Sequence, residues 1–157
     1  MREYVIQIFA ALTGTMAFCV LFSVMPRHYL RCGLIGAAGW AVYLFIKESF
    51  GMSLLATFAA TIVLTALSRF SAVKVKAPAT VFLLTGIFTL VPGAGIFYTA
   101  YYLFFGQTQM AAIHGFATFK TAIAIALGIG VVYSVPAKAY GWKQNSQVWN
   151  EAEHRKS

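Results

Sequence analysis

The sequence predicts an all-α membrane protein with five transmembrane helices, the fourth broken at Pro92-Gly93. Three observations carry that prediction. The 157-residue chain is 60% apolar and 16% aromatic, with a mean hydropathy of +0.74, a composition foreign to soluble domains. No Asp or Glu occurs between Glu48 and Glu151. The few charges collect between the apolar runs, and nearly all are Lys or Arg.

The first apolar run, residues 4–25, follows Arg2 as a signal peptide would. At about 22 residues it exceeds the usual h-region of about 7–15. As a helix it is about 33 Å long, enough to cross the hydrocarbon core, and it is expected to be retained. Pro26, Arg27, His28 and Arg31 end it. The second run covers residues 32–46 and stops at Lys47 and Glu48, with Gly51 in the turn. The third covers residues 52–67, followed by Arg69, Lys74, Lys76 and Pro78. A fourth stretch, residues 79–105, contains Pro92-Gly93-Ala94-Gly95; the fifth, residues 116–135, follows a linker at 106–115 and stops at Pro136. Residues 1–136 thus form the transmembrane domain. Residues 137–157 form a short polar tail, either disordered or helical with Trp142 and Trp149 on one face at headgroup level.

Orientation follows from the linkers. The first and third are basic, the second holds the offsetting pair Lys47 and Glu48, and residues 106–115 carry only His114. Lys138, Lys143, Arg155 and Lys156 make the tail basic. The positive-inside rule then places the N-terminus outside and the tail in the cytoplasm. The fourth stretch must cross once. Two spans of about 13 residues each would be too short, and a re-entrant hairpin would send the basic tail outside. Pro92 removes a backbone donor, and the glycines loosen the helix after it.

The basic balance, +8 with a pI near 9.7, is explained by the linkers, so no nucleic-acid partner is expected. Cys19 and Cys32 have no CxxC neighbour and no metal-ligand spacing with the histidines. They are expected to be packing residues without a disulfide. Neither a metal nor a cofactor is expected. Without intramembrane acids, a Walker-type loop, HExxH or GxSxG, the chain is not expected to be an enzyme. Pro92-Gly93-Ala94-Gly95 is no phosphate cradle, since it lies in apolar sequence with no following Lys-Ser or Lys-Thr. Gly33, Gly36 and Gly39, with Ala37, form a small-residue strip for helix packing, and Gly128 and Gly130 leave a second notch. The strip serves either the bundle itself or a subunit interface.

The candidate substrate pathway is Thr89, Pro92, Gly93, Gly95, Tyr98 and Lys120. Unwound backbone in a bilayer is tolerated only where protein buries it or where it lines a polar cavity. Transporters use such breaks at midplane to hold small substrates or ions. Pro92 lies near the middle of its stretch, with the hydroxyls of Thr85, Thr89, Tyr98 and Thr99 nearby. A purely structural proline kink is the alternative. Lys120 lies one turn inside the expected fifth span. It either receives a substrate carboxylate, pairs with an acid on another subunit, or snorkels to the outer interface.

Several segments together resemble the threonine/serine exporter family of the ThrE type. They are Lys76-Ala-Pro-Ala-Thr-Val-Phe, then Leu90-Val-Pro-Gly-Ala-Gly-Ile with Tyr98, the earlier Arg27-His-Tyr-Leu-Arg with Gly33-Leu-Ile-Gly-Ala-Ala-Gly-Trp, and Ser68-Arg69. More narrowly, the chain looks like the small C-terminal-half subunit of the split, two-gene form, matched over about residues 8–135. The resemblance implies an exporter of threonine, serine or related small metabolites, working with a larger membrane subunit of inverted topology. The lipid bilayer and a small amino acid are the other expected partners. The expected location is a bacterial cell (inner) membrane. A non-transporting membrane scaffold or assembly subunit is the alternative.

Overall fold

The computed structural model describes residues 2–75 and 77–135. Among them are six α-helices and no strand: α1 (Arg2–Leu21), α2 (Tyr29–Phe50), α3 (Ser53–Val75), α4 (Ala79–Ile87), α5 (Gly93–Phe104) and α6 (Thr108–Ser134). A single 3-10 turn, Pro26–His28, leads into α2. Four helical segments are long and apolar enough to cross a membrane: α1, Pro26–Phe50, α3 and α6. The expected fifth is two short helices of 9 and 12 residues, neither of which spans alone. The expected tail, with Trp142 and Trp149, lies outside the described residues.

Helix ends differ from the apolar runs for a physical reason. Hydropathy marks the part of a helix that sits in hydrocarbon, whereas caps decide where the helix stops. Thus α3 runs past Ser68 and Arg69 to Val75, and α6 begins at Thr108 rather than Phe116. After α1, Val24 N–H bonds to Cys19 O at 2.9 Å and Ser23 N–H to Val20 O at 3.1 Å. That Schellman ending needs a left-handed residue, here Ser23 at φ +52°. Gly106, at φ +69°, ends α5 with the same pair of bonds, to Leu103 O and Tyr102 O.

The seams between helices are made by glycine. Lipid offers no hydrophobic force between helices, so close backbone approach must hold them. A Cβ at Gly36 would collide with Thr15 Oγ1 of α1, and one at Gly33 would lie 3.0 Å from Met16 Cγ. Gly39 of α2 and Gly86 of α4 both abut Leu64, the middle residue of the 23-residue α3, at 2.9 and 3.2 Å. Gly128 of α6 faces Thr61 of α3, again at 2.9 Å. Gly33, Gly36 and Gly39 therefore lie inside the bundle, against α1 and α3.

The core gathers around Leu64, Phe82, Cys19, Cys32 and Ile35. Both cysteines are buried free thiols. Thr57, Thr61, Thr65 and Ser68 form a buried hydroxyl row along α3. Each donates to the carbonyl four residues earlier, at 2.7–2.9 Å, which satisfies the donor within its own helix.

Two contacts fix which ends lie together. Tyr4 Oη donates to Glu48 Oε1 at 2.6 Å, joining the start of α1 to the end of α2. At the opposite end, the Arg69 guanidinium donates to Val132 O and Val135 O and sits 5.0 Å from the Tyr133 ring. It thereby caps the last carbonyls of α6 with a cation near the end of α3. Among the described residues, α4 packs on α1, α2 and α3, α6 packs on α3 and α5, and α5 packs on α6 alone.

Candidate substrate pathway at the broken helix

The break occupies the five residues between Ile87 and Gly93, directly after Gly86 meets the middle of α3. On the α4 side it is anchored. Phe88 stacks on Phe18 of α1 at 4.6 Å and lies 5.4 Å from Phe22, and Leu90 is buried. Much of its backbone is already satisfied. Thr89 N–H bonds to Gly86 O at 3.3 Å, Leu90 N–H to Ile87 O at 2.9 Å, and Val91 N–H to Ile87 O at 3.1 Å.

Pro92 has no N–H, and Gly93 N–H turns back to Val91 O at 2.8 Å. Ile96 N–H reaches Pro92 O at 3.1 Å. A helix leaves its first amides without intrahelical acceptors, so at α5 the donors remaining are those of Ala94 and Gly95. They carry the positive end of the α5 dipole.

The expected pathway residues divide into two groups. Thr89, Pro92, Gly93, Gly95 and Tyr98 follow one another through the break and along α5. Thr89 Oγ1 donates to Gly86 O at 2.7 Å and keeps its acceptor lone pairs. Gly93 is exposed, and a Cβ there would meet nothing within 4 Å. Gly95 instead rests on Thr118 of α6. Tyr98 is 45% exposed, its ring centroid 5.6 Å from that of His114, which stacks on Tyr102 at 5.2 Å. Lys120 stands apart. It is exposed, about 200° around α6 from Thr118, with its Nζ 4.4 Å from the centre of the Phe116 ring. It also sits 12 residues into α6, near its middle, because the helix starts at Thr108.

Sequence reasoning missed the α5–α6 seam. Gly95 packs on Thr118 and Gly115 on Thr99, a crossed pair of small-residue contacts. The signal was present: Gly95 and Thr99 are four apart on one helix, and Gly115 and Thr118 three apart on the next. Among the described residues no three His, Cys, Asp or Glu side chains gather as metal ligands would.

Four helical segments long and apolar enough to cross a membrane thus pack with two short helices joined by an unwound segment. The family described as Threonine/Serine exporter, ThrE, matches residues 7–135, which is nearly the whole described bundle. The chain belongs to the threonine/serine exporter family. Comparison with curated proteins and with solved structures returned no match. The family is one of transporters, so this is a membrane protein whose class acts on a small-molecule substrate. The matched region includes α4, the break and α5, so these belong to the family's domain.

Proposed function

We propose that this chain is one subunit of an exporter for threonine, serine or related small metabolites, acting with a larger membrane subunit in a bacterial cell membrane. The family match over residues 7–135 carries the reading. The break after Gly86 supports it, since it opens beside the central residue of α3, where a transporter needs its site.

In this reading α4 and α5 together make a fifth crossing. Arg69 draws the end of α6 to the end of α3. A chain that leaves α3 and returns to the same end must cross twice; α6 is one passage, and α4 with α5 supplies the other. The basic linkers at Arg27, Arg31, Arg69 and Lys74 lie on that side, taken as cytoplasmic, with the N-terminus outside.

The substrate is a zwitterion with a hydroxyl. Its carboxylate matches the Ala94 and Gly95 amides at the α5 N-terminus, and its hydroxyl and ammonium match Thr89 and Tyr98. With no acid between Glu48 and Glu151, any proton coupling falls largely to the other subunit.

Radiolabelled threonine and serine efflux from cells with both subunits, either one, or neither tests the reading. Efflux should need both. Gly93→Leu should abolish efflux per assembled complex by filling the open approach to the amides. Pro92→Ala, which restores a donor and tends to close the helix, should lower it. Robust transport by this chain alone would overturn the two-subunit reading. Normal efflux per complex in both variants would leave the break a packing kink, as a scaffold would have.

A further inference from the structure

We infer that His114 is the positioning residue for Tyr98, holding its phenol where it reads the side-chain hydroxyl of threonine or serine and so sets their preference over apolar amino acids. This deepens the exporter reading above and rests on it.

Little else fixes the Tyr98 phenol. Among the described residues α5 packs on α6 alone, none of its own residues is buried, and Tyr98 is 45% exposed. Three described rings lie against that of Tyr98. Phe97 is its chain neighbour, at 5.6 Å and 71°, and Tyr102 lies one turn along the same helix at 6.4 Å. Both ride on α5. His114, at 5.6 Å and 36°, is the one that comes from another helix.

His114 is itself held. Its ring stacks on Tyr102 at 5.2 Å and 18°, and its carbonyl accepts the Thr118 hydroxyl at 2.7 Å. Its neighbour Gly115 meets Thr99, and Thr118 meets Gly95. Tyr98 and Tyr102, four apart, share one side of α5, so a single imidazole braces both across the seam.

The direction of the phenol gives the brace a consequence. Helical side chains lean toward the N-terminus of their own helix, so Tyr98 leans back toward Ala94 and Gly95. Their amides are the candidate seat of the substrate carboxylate, and the Tyr98 Cα lies about 6 Å along the axis from that of Ala94. A threonine seated there meets the phenol with its β-hydroxyl. Valine has the same shape without that hydroxyl and gives the phenol no partner. A phenol free to turn away no longer separates the two; one braced by His114 does. The brace uses ring faces, so it requires a planar side chain at position 114 and no particular nitrogen.

The test is efflux of radiolabelled threonine against radiolabelled valine from cells producing both subunits, each corrected for cells lacking both and expressed per assembled complex. The ratio of the two rates is the readout, because a variant that only weakens the fold lowers both rates together. Tyr98→Phe should cut the wild-type preference for threonine about fivefold, the worth of one hydrogen bond. His114→Ala should cut it nearly as far, and no further where Tyr98→Phe is already present, since it acts through that hydroxyl. His114→Phe should keep the preference within about twofold of wild type. Where His114→Ala fails to accumulate, His114→Leu, which fills the space without a ring to stack, reads the same loss. Four outcomes overturn the assignment alone: a wild-type complex indifferent between threonine and valine, an unchanged ratio in the Ala and Leu variants, losses that add to that of Tyr98→Phe, or a His114→Phe variant as unselective as His114→Ala. A wild-type complex that exports neither threonine nor serine faults the exporter reading itself, and the assignment with it.

Discussion

Gly95→Ala isolates the seam that holds α5, because among the described residues α5 packs on nothing but α6. The added methyl collides with Thr118 Oγ1, whose rotamer is fixed by a 2.7 Å hydrogen bond to His114 O. Overpacking of this kind costs about 1–3 kcal/mol. Replacing Gly by Ala within a helix returns at most about 1 kcal/mol, which leaves a net loss of about 1–2 kcal/mol. Removing the obstacle should reverse it. With Thr118→Ala the nearest Thr118 atom left is Cβ, 3.4 Å from the new methyl, which is ordinary contact. Thr118→Ala alone loses only a hydroxyl bond to a carbonyl that keeps its helical amide, so it should cost under about 1 kcal/mol.

The double-mutant cycle should therefore show a favourable coupling of about 1–2 kcal/mol. Thermal melts of purified protein in detergent read it, Gly95→Ala lowering Tm by about 3–6 °C and the double variant recovering most of that. Efflux normalised to assembled complex should follow the same pattern. A neutral Gly95→Ala, or no rescue by Thr118→Ala, would refute the close α5–α6 approach on which the candidate pathway stands.

Three further outcomes are expected. Gly128→Ala should destabilise by about 1–3 kcal/mol, since its Cβ would lie 2.9 Å from Thr61 Cβ and 3.1 Å from Phe58 O, while Gly130→Ala meets nothing within 4 Å and should be neutral or slightly stabilising; melts of the two variants check the contrast. Ser23→Gly should stabilise by about 0.5–1 kcal/mol, because it relieves a side chain at φ +52°, and unchanged or reduced thermal stability would count against that turn. Impermeant thiol labelling of intact cells should reach cysteines placed near Glu48 and Gln109 but not near Lys74, and labelling at Lys74 would sink the N-out, five-crossing topology.

How much was legible in the sequence depended on which force set each feature. Hydropathy located the four helical segments that are long and apolar enough to cross a membrane, because a bilayer demands long apolar runs. It misplaced the ends, because caps are local chemistry: Gly51 was legible as a turn, while Ser23, in the same left-handed role as Gly106, carries no compositional flag. Pro92 betrayed the break, but the unwinding starts four residues earlier, at Phe88, where the Phe18 and Phe22 rings hold the chain. The neutral segment 106–115 reads as a linker, so the start of α6 was set eight residues late. In fact Gly106 ends α5, and the helix resumes at once.

The abundance of hydroxyls in this chain overstates its polarity, and that narrows where a substrate can be held. Thr15, Thr57, Thr61, Thr65, Ser68, Thr85, Thr99 and Thr118 each donate to a carbonyl four residues back in their own helix. Such side chains behave toward their neighbours as small apolar surfaces, which is why glycines can sit against Thr15, Thr61, Thr99 and Thr118. Thr89 spends its donor on Gly86 O as well and has acceptor capacity left. Tyr98 differs, because a phenol cannot reach back to its own helix carbonyl, and among the described residues its hydroxyl has no partner. The donors left to meet a substrate at the break are then the Tyr98 hydroxyl and the Ala94 and Gly95 amides, all on α5. Among the described residues α4 and α5 share no packed contact, so the position of those donors relative to α4 is set through α6 and α3, by the glycine seams at Gly95, Gly128 and Gly86.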